Sequence, residues 1–360
     1  YGVNNSIGTY ISGNGSTVDY KRTTGTGDQN VFTSNNYRHL RISGSGTKIL
    51  NSDIIASGIL TMLNGNINSN GNILKLTNND IGAIVRDTGT VIGKLQRAVA
   101  VKGSDYLFPI GTASKYNSLK IKFQHLVNGP LTAQFKAADI GNLALPLDDD
   151  GNEVWDRFAE GYWNLSSESS MASNNFNLKL NYNGFSGIDS SSRIIKRTNG
   201  GPLELDGTDG NINGIEIERD ELEGGISDIE TDFGIGKGRP KIVDQPVNID
   251  ICEGSNAFFE VNVRWHGIKH LTYQWQVNTG SGWTNVIDGG VYSGARSKKL
   301  ILTAADYGMN GYLYKCIITD NPGNSNITNT VVLTVNKIPI ATVSIPYQIV
   351  CDSVTSVYVV

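Results

Sequence analysis

The stretch Tyr37-Arg-His-Leu-Arg-Ile-Ser-Gly-Ser-Gly-Thr-Lys-Ile-Leu50 decides how the first part of the chain is read. Two brief apolar alternations, Leu40 with Ile42 and then Ile49, flank a turn of Ser and Gly. Ile59-Leu-Thr-Met-Leu-Asn-Gly65 and Gly71-Asn-Ile-Leu-Lys-Leu-Thr77 repeat the pattern. A strand with only two to four inward positions buries little by itself, so such strands need to stack. Stacked rungs of a β-solenoid fit best over residues 1–80. Because the spacing is irregular, an ordinary antiparallel meander is the competing arrangement.

Outward from there, the alternation lengthens over residues 81–236: Leu119-Lys-Ile-Lys-Phe123, Leu131-Thr-Ala-Gln-Phe135, Phe176-Asn-Leu-Lys-Leu-Asn-Tyr182 and Ile215-Glu-Ile-Glu218. One face dry and one face wet is the pattern of an antiparallel β-sandwich. Trp155, Tyr162 and Trp163 are expected in its core. Gly234-Ile-Gly-Lys-Gly-Arg-Pro240 reads as a linker, since alternate glycines followed by Pro do not favour a continuing strand. The fold class is therefore all-β, in agreement with the 42 glycines and the 18% of charged residues.

Charge and motifs narrow the function. The net charge of −4 offers no broad basic surface for nucleic acid. No stretch of about 18 apolar residues predicts direct membrane insertion. His39, His125, His266 and His270 carry no metal-ligand pattern, and no nucleophile elbow or phosphate loop occurs. A glycosidase needs two facing carboxylates, whereas the acids here cluster in turns, so the reading is non-enzymatic.

Two acidic runs stand out. Asp148, Asp149, Asp150, Asn152 and Glu153 surround a glycine turn with the oxygen ligands that Ca²⁺ prefers, and they also read as a solvated loop. A second run, from Asp206 to Asp232, holds only Arg219 as internal compensation, and Ca²⁺ there would relieve the repulsion. No cofactor is required. Trp283 and Tyr292, with Trp265, are candidates for stacking on glycans, although each also has a packing role in a sandwich.

Residues 241–336 contain the strands Ala257-Phe-Phe-Glu-Val-Asn-Val263, Leu271-Thr-Tyr-Gln-Trp-Gln-Val277, Lys299-Leu-Ile-Leu-Thr303, Tyr312-Leu-Tyr-Lys-Cys-Ile-Ile-Thr319 and Thr330-Val-Val-Leu-Thr-Val335. Trp275 in mid-domain, with Tyr314 two residues before Cys316, resembles an immunoglobulin-like β-sandwich with a tyrosine corner, and both side chains are expected in its core. The first Cys of that family would fall near Val261, but here Cys252 precedes the strand. The resemblance implies a displaced Cys252–Cys316 disulfide. Pro246-Val-Asn-Ile-Asp-Ile-Cys252 aligns with Pro346-Tyr-Gln-Ile-Val-Cys351, so residues 337–360 read as the start of a following repeat.

Tyr106-Leu-Phe-Pro-Ile-Gly-Thr112, Tyr116-Asn-Ser-Leu119, Gly161-Tyr-Trp-Asn-Leu165, Tyr273-Gln-Trp-Gln276 and Gly282-Trp-Thr-Asn285 together resemble large multidomain surface proteins of Bacteroidota exported by type IX secretion. That resemblance implies an adhesin-like extracellular stalk or filament segment whose partners are other modules of the same polypeptide, with glycans or cell-surface components beyond them. Two alternatives stand beside it. One is the accessory carbohydrate-binding region of a secreted polysaccharide-degrading enzyme; the other is a self-assembling subunit exchanging the strand near Ser353-Val-Thr-Ser-Val-Tyr-Val-Val360.

Overall fold

The computed structural model describes residues 15–21, 27–33, 37–149, 152–168, 171–223, 226, 230–264, 271–320 and 323–339. Among the described residues nearly all regular structure is β, joined by two single-turn 3₁₀ helices. The described residues fall into two compact units, the first made chiefly of residues up to 243, the second of residues 244–262, 273–317 and those from 327 onward.

Parallel pairing settles the choice between solenoid and meander. Thr17–Tyr20, His39–Ile42, Leu60–Met62 and Ile84–Arg86 stack in register as one parallel sheet, with Leu40 beside Leu60 and Leu60 beside Ile84. A second stack runs from Gln29–Val31 through Thr47–Leu50 and Asn66–Leu76 to Val91–Val99. Ile54–Ala56 pairs with the later half of Asn66–Leu76 to make a third face. Each turn takes about twenty residues, a common solenoid period. The fourth turn lies beyond residue 80, so the solenoid extends into the region read as sandwich.

The inward positions of these rungs, Leu40, Ile42, Leu50, Ile54, Leu60, Met62, Ile67 and Leu74, are almost wholly buried. Each such side chain contributes about 1.5–3 kcal/mol when removed from water. One corner is built from glycine. A Cβ on Gly65 (φ +88°) would strike the Gly44 carbonyl, and one on Gly89 (φ +86°) would strike the Gly65 carbonyl, so successive turns touch backbone to backbone. Within the coil the buried Lys48 donates to the Gly44 (3.1 Å) and Ser45 (2.7 Å) carbonyls.

The last rung starts the sandwich. Val91–Val99 keeps its parallel neighbour on one edge and takes Gly129–Lys136 antiparallel on the other. The sheet continues through Tyr162–Ser167, Thr231–Asp244, Asn152–Arg157 and Leu147–Asp149. A second sheet, ordered Asp105–Phe108, Leu119–Val127, Ala172–Asn181, Glu216–Leu222, Thr208–Asn213, packs on it. Phe176 meets Phe123 (6.4 Å between centroids) on its own sheet and Phe233 (6.3 Å) across the gap. One hydrophobic cluster runs from Tyr20 in the solenoid to Ile235 in the sandwich.

Two expectations fail here. The 234–240 segment is no linker: Thr231–Asp244 is a 14-residue strand in the middle of the large sheet. Its glycines are sites of close approach. A Cβ on Gly236 would strike Val154, and one on Gly238 would strike the Ser191 carbonyl and lie 2.5 Å from the Asn152 amide. Trp155 is not in the core. It points outward at 44% exposure, beneath the Arg239 guanidinium; Trp163 enters the main core as expected, whereas Tyr162 is buried in a separate cluster with Ile140, Val154, Ile195 and Leu203.

The second unit is an immunoglobulin-like sandwich. One sheet is ordered Ile249–Cys252, Val331–Asn336, Leu313–Thr319, Thr272–Asn278, Trp283–Asn285, and the other Ala257–Glu260, Lys299–Leu302, Tyr292–Ser293. Trp275 and Tyr314 are fully buried, and Phe259 contacts both rings at 6.1 and 4.8 Å.

Candidate functional site

The first acidic turn is a hairpin, Leu147–Asp149 with Asn152–Arg157, at one end of the large sheet. Its carboxylates diverge toward different cations. Asp148 pairs with Lys241, Glu153 with Arg239, and Asp149 with both Arg193 (2.6 Å) and Arg219 (2.9 Å). Asn152 is buried and donates to the Ser191 carbonyl at 2.9 Å. Asp150 lies outside the described residues. The four described residues of this turn are thus directed to different partners. Among the described residues, no group of three or more His, Cys, Asp or Glu is arranged to hold a metal ion.

Instead, Asp149 joins the two sheets. Arg193 lies on Arg193–Thr198 of the large sheet, and Arg219 on Glu216–Leu222 of the other. Arg219, 2% exposed, also donates to the carbonyls of Asp206 (2.6 Å) and Gly207 (3.1 Å). Arg193 reaches Asp209 at 3.1 Å, and the buried Lys196 reaches Asp206 at 2.6 Å. Burial raises the Asp149 carboxyl, but the Arg219 hydrogen bond and the two guanidinium charges outweigh it and hold the group below its usual range. Asp209 moves up, because burial outweighs the attraction of Arg193.

The same contacts answer the second acidic run. Its compensation comes from the basic strand Arg193-Ile-Ile-Lys-Arg197 together with Lys120 and Lys179 on the other sheet. Arg197 holds Asp232 at 2.6 Å, Lys120 holds Glu216 at 2.8 Å and Lys179 holds Glu218 at 3.1 Å. Opposite charges facing each other from neighbouring strands gave no local signal.

The expected disulfide is corrected. Cys252 and Cys316 are free, the first exposed and the second buried. Both lie in one sheet, with Val331–Asn336 between their strands. Two strand spacings are about 9.5 Å, beyond the Cα separation of about 4.4–6.8 Å that a bridge spans. Burial pushes the Cys316 thiol up to about 12. Cys351, His266, His270, Trp265 and residues 340–360 lie outside the described residues.

Of the proposed stacking residues, Trp283 is half-buried with the Lys315 ammonium 4.1 Å from its ring centroid. Tyr292 is half-buried, its hydroxyl 3.0 Å from that of Tyr314. The Tyr314 hydroxyl thus meets a side chain, where the family pattern has it meet the backbone. Among the described residues no helix is long and apolar enough to cross a membrane.

No family model matches the chain, and no curated protein matches it. Solved structures similar to part of it include the titin–obscurin-like 1 immunoglobulin complex, at 20% identity over 28% of this chain and 97% of that one, with a TM-score of 0.22. A further titin domain is 22% identical over 27% of this chain and 96% of its own length, at 0.22. The twitchin kinase region from C. elegans is 16% identical over 27% of this chain and 16% of that one, at 0.22.

Proposed function

We propose that this chain is a non-enzymatic structural and adhesive segment of a large extracellular surface protein, a part of a stalk or filament. The observation that carries this reading is the continuity of the first unit: one sheet passes from parallel rungs to antiparallel strands without a break, over one core from Tyr20 to Ile235. Solenoids need an end that covers the last rung, and the sandwich supplies it. A segment built this way transmits tension through backbone hydrogen bonds instead of through a hinge.

The extracellular setting rests on the turn-rich composition and on the resemblance to exported multidomain surface proteins. Pulling single full-length chains by their ends tests the reading. The first unit is expected to lengthen in one step, separate from the step of the immunoglobulin-like unit. Early, low-force loss of the solenoid rungs would overturn it.

A further inference from the structure

One sheet carries the solenoid into the sandwich, but each half of the first unit also has a sheet of its own. Among the described residues, the four-stranded sheet that ends at Ile84–Arg86 and the five-stranded sheet that begins at Asp105–Phe108 share no backbone ladder. Two buried side chains cross that seam. We propose that Arg97 and Tyr106 form a clamp that makes the solenoid and the sandwich open as one body. The clamp presupposes the tension-bearing role proposed above and supplies the contact that keeps the unit in one piece.

Arg97 sits on Val91–Val99, the strand common to both halves, where its neighbours are Leu76 of the solenoid and Leu131 of the sandwich. It is fully buried, and its guanidinium reaches both halves at once. Nη1 donates to the Leu107 carbonyl at 2.7 Å, on the sandwich's own sheet. Nη2 donates to the Asp80 (3.0 Å) and Ile81 (3.3 Å) carbonyls, at the 3₁₀ turn Ile81–Ala83 that leads into the rung Ile84–Arg86. The ring centroids of Tyr106 and Phe108 lie 5.0 and 5.9 Å from it. Tyr106, also fully buried, repeats the crossing. Its hydroxyl donates to the Asn79 carbonyl at 2.9 Å and accepts from the N–H groups of Ala100 (3.0 Å) and Val101 (2.9 Å).

Packing alone would not call for a cation at this place. Among the described residues no carboxylate forms an ion pair with Arg97, and that of Asp80 accepts from the Gly82 N–H at 2.7 Å. Burial pulls the guanidinium down to about 10, so it keeps its charge at neutral pH in a site that penalises charge. The carbonyls it gathers offset that penalty, since charge-assisted hydrogen bonds are about twice as strong as neutral ones. These carbonyls come from both halves. An opening that parts the halves therefore strands the cation in the apolar interior, whereas complete unfolding returns it to water. The penalty falls on partial opening alone.

Native-state hydrogen exchange on the full 360-residue chain tests the clamp. In the parent chain the rung amides of Leu40 and Leu60 are expected to open together with those of Phe176 and Phe233 in the sandwich. Arg97→Met keeps the apolar stem and removes the charge and its donors. In this variant the rung amides are expected to exchange faster than the sandwich amides by about tenfold or more, the equivalent of at least one hydrogen bond. Tyr106→Phe, which removes one hydroxyl, is expected to open the same gap by a smaller factor, and it decides alone if Arg97→Met does not fold. Phe176→Leu, which weakens the sandwich core, is expected to speed both sets equally. The clamp is overturned if neither folded variant separates the two sets, or if Phe176→Leu separates them as well. Rung amides that open first in the parent chain would overturn the tension-bearing role together with the clamp; a parent and variants that all open as one body would remove the clamp alone.

Discussion

The two sandwiches of this chain reach the same architecture by different chemistry. The immunoglobulin-like unit is organised around large rings, with Trp275, Phe259 and Tyr314 in mutual contact. The sandwich grown from the solenoid has its own phenylalanines, but it also closes with buried charges between its sheets and with glycines where chains cross. An aromatic core tolerates small shifts, because apolar contacts are non-directional. A core tied by ion pairs and bare backbone tolerates few.

That contrast is broken or sharpened most strongly at Asp149. Asp149→Ala leaves Arg193 and Arg219 without their shared carboxylate, and a loss of about 3–5 kcal/mol is expected, confined to the transition of the first unit in a denaturant titration. Replacing the trio together by Leu and two Met is expected to recover most of that loss. A small effect of the single change would place the lock on the wet surface.

Glycine comes next. Gly238→Ala is expected to cost up to about 3 kcal/mol through overpacking against Ser191 and Asn152. Gly311→Ala in the immunoglobulin-like unit, where only the φ of +86° opposes a side chain, is expected to cost about 1–2 kcal/mol. Equal costs, read from paired melting curves, would remove the distinction.

Acid gives a smaller, directional effect. The Asp149 carboxyl is lowered on folding, so its contribution is present above the unfolded value of 3.8 and is lost as pH falls through the folded value. Asp209 is raised, so its contribution is present below 3.8 and fades as pH rises through its folded value. Stability measured against pH is expected to fall more steeply below about pH 4 in the parent chain than in Asp149→Asn. The last effect is chemical. Native alkylation followed by peptide mapping is expected to label Cys252 and to spare Cys316 until the chain unfolds.

This difference in chemistry also decided what the sequence made legible. Trp275, Tyr314 and Cys316 announce themselves by spacing, and the unit they organise follows from three residues. The solenoid was legible through Leu40, Leu60 and their neighbours, although only pairing direction separated it from a meander. Gly234, Gly236 and Gly238 misled, because a glycine that frees a chain and a glycine that admits a neighbour look the same until the neighbour is known. The partners of Asp149 lie far along the chain, so its acidic turn read as a cation site.

Native-state hydrogen exchange on the whole chain tests the central claim most directly. The account predicts that core amides of the rungs, such as Leu40 and Leu60, open with the same free energy as Phe176 and Phe233 of the sandwich, while Trp275 and Cys316 open with their own. Rung amides that exchange at a distinctly lower free energy than those of the sandwich would contradict it.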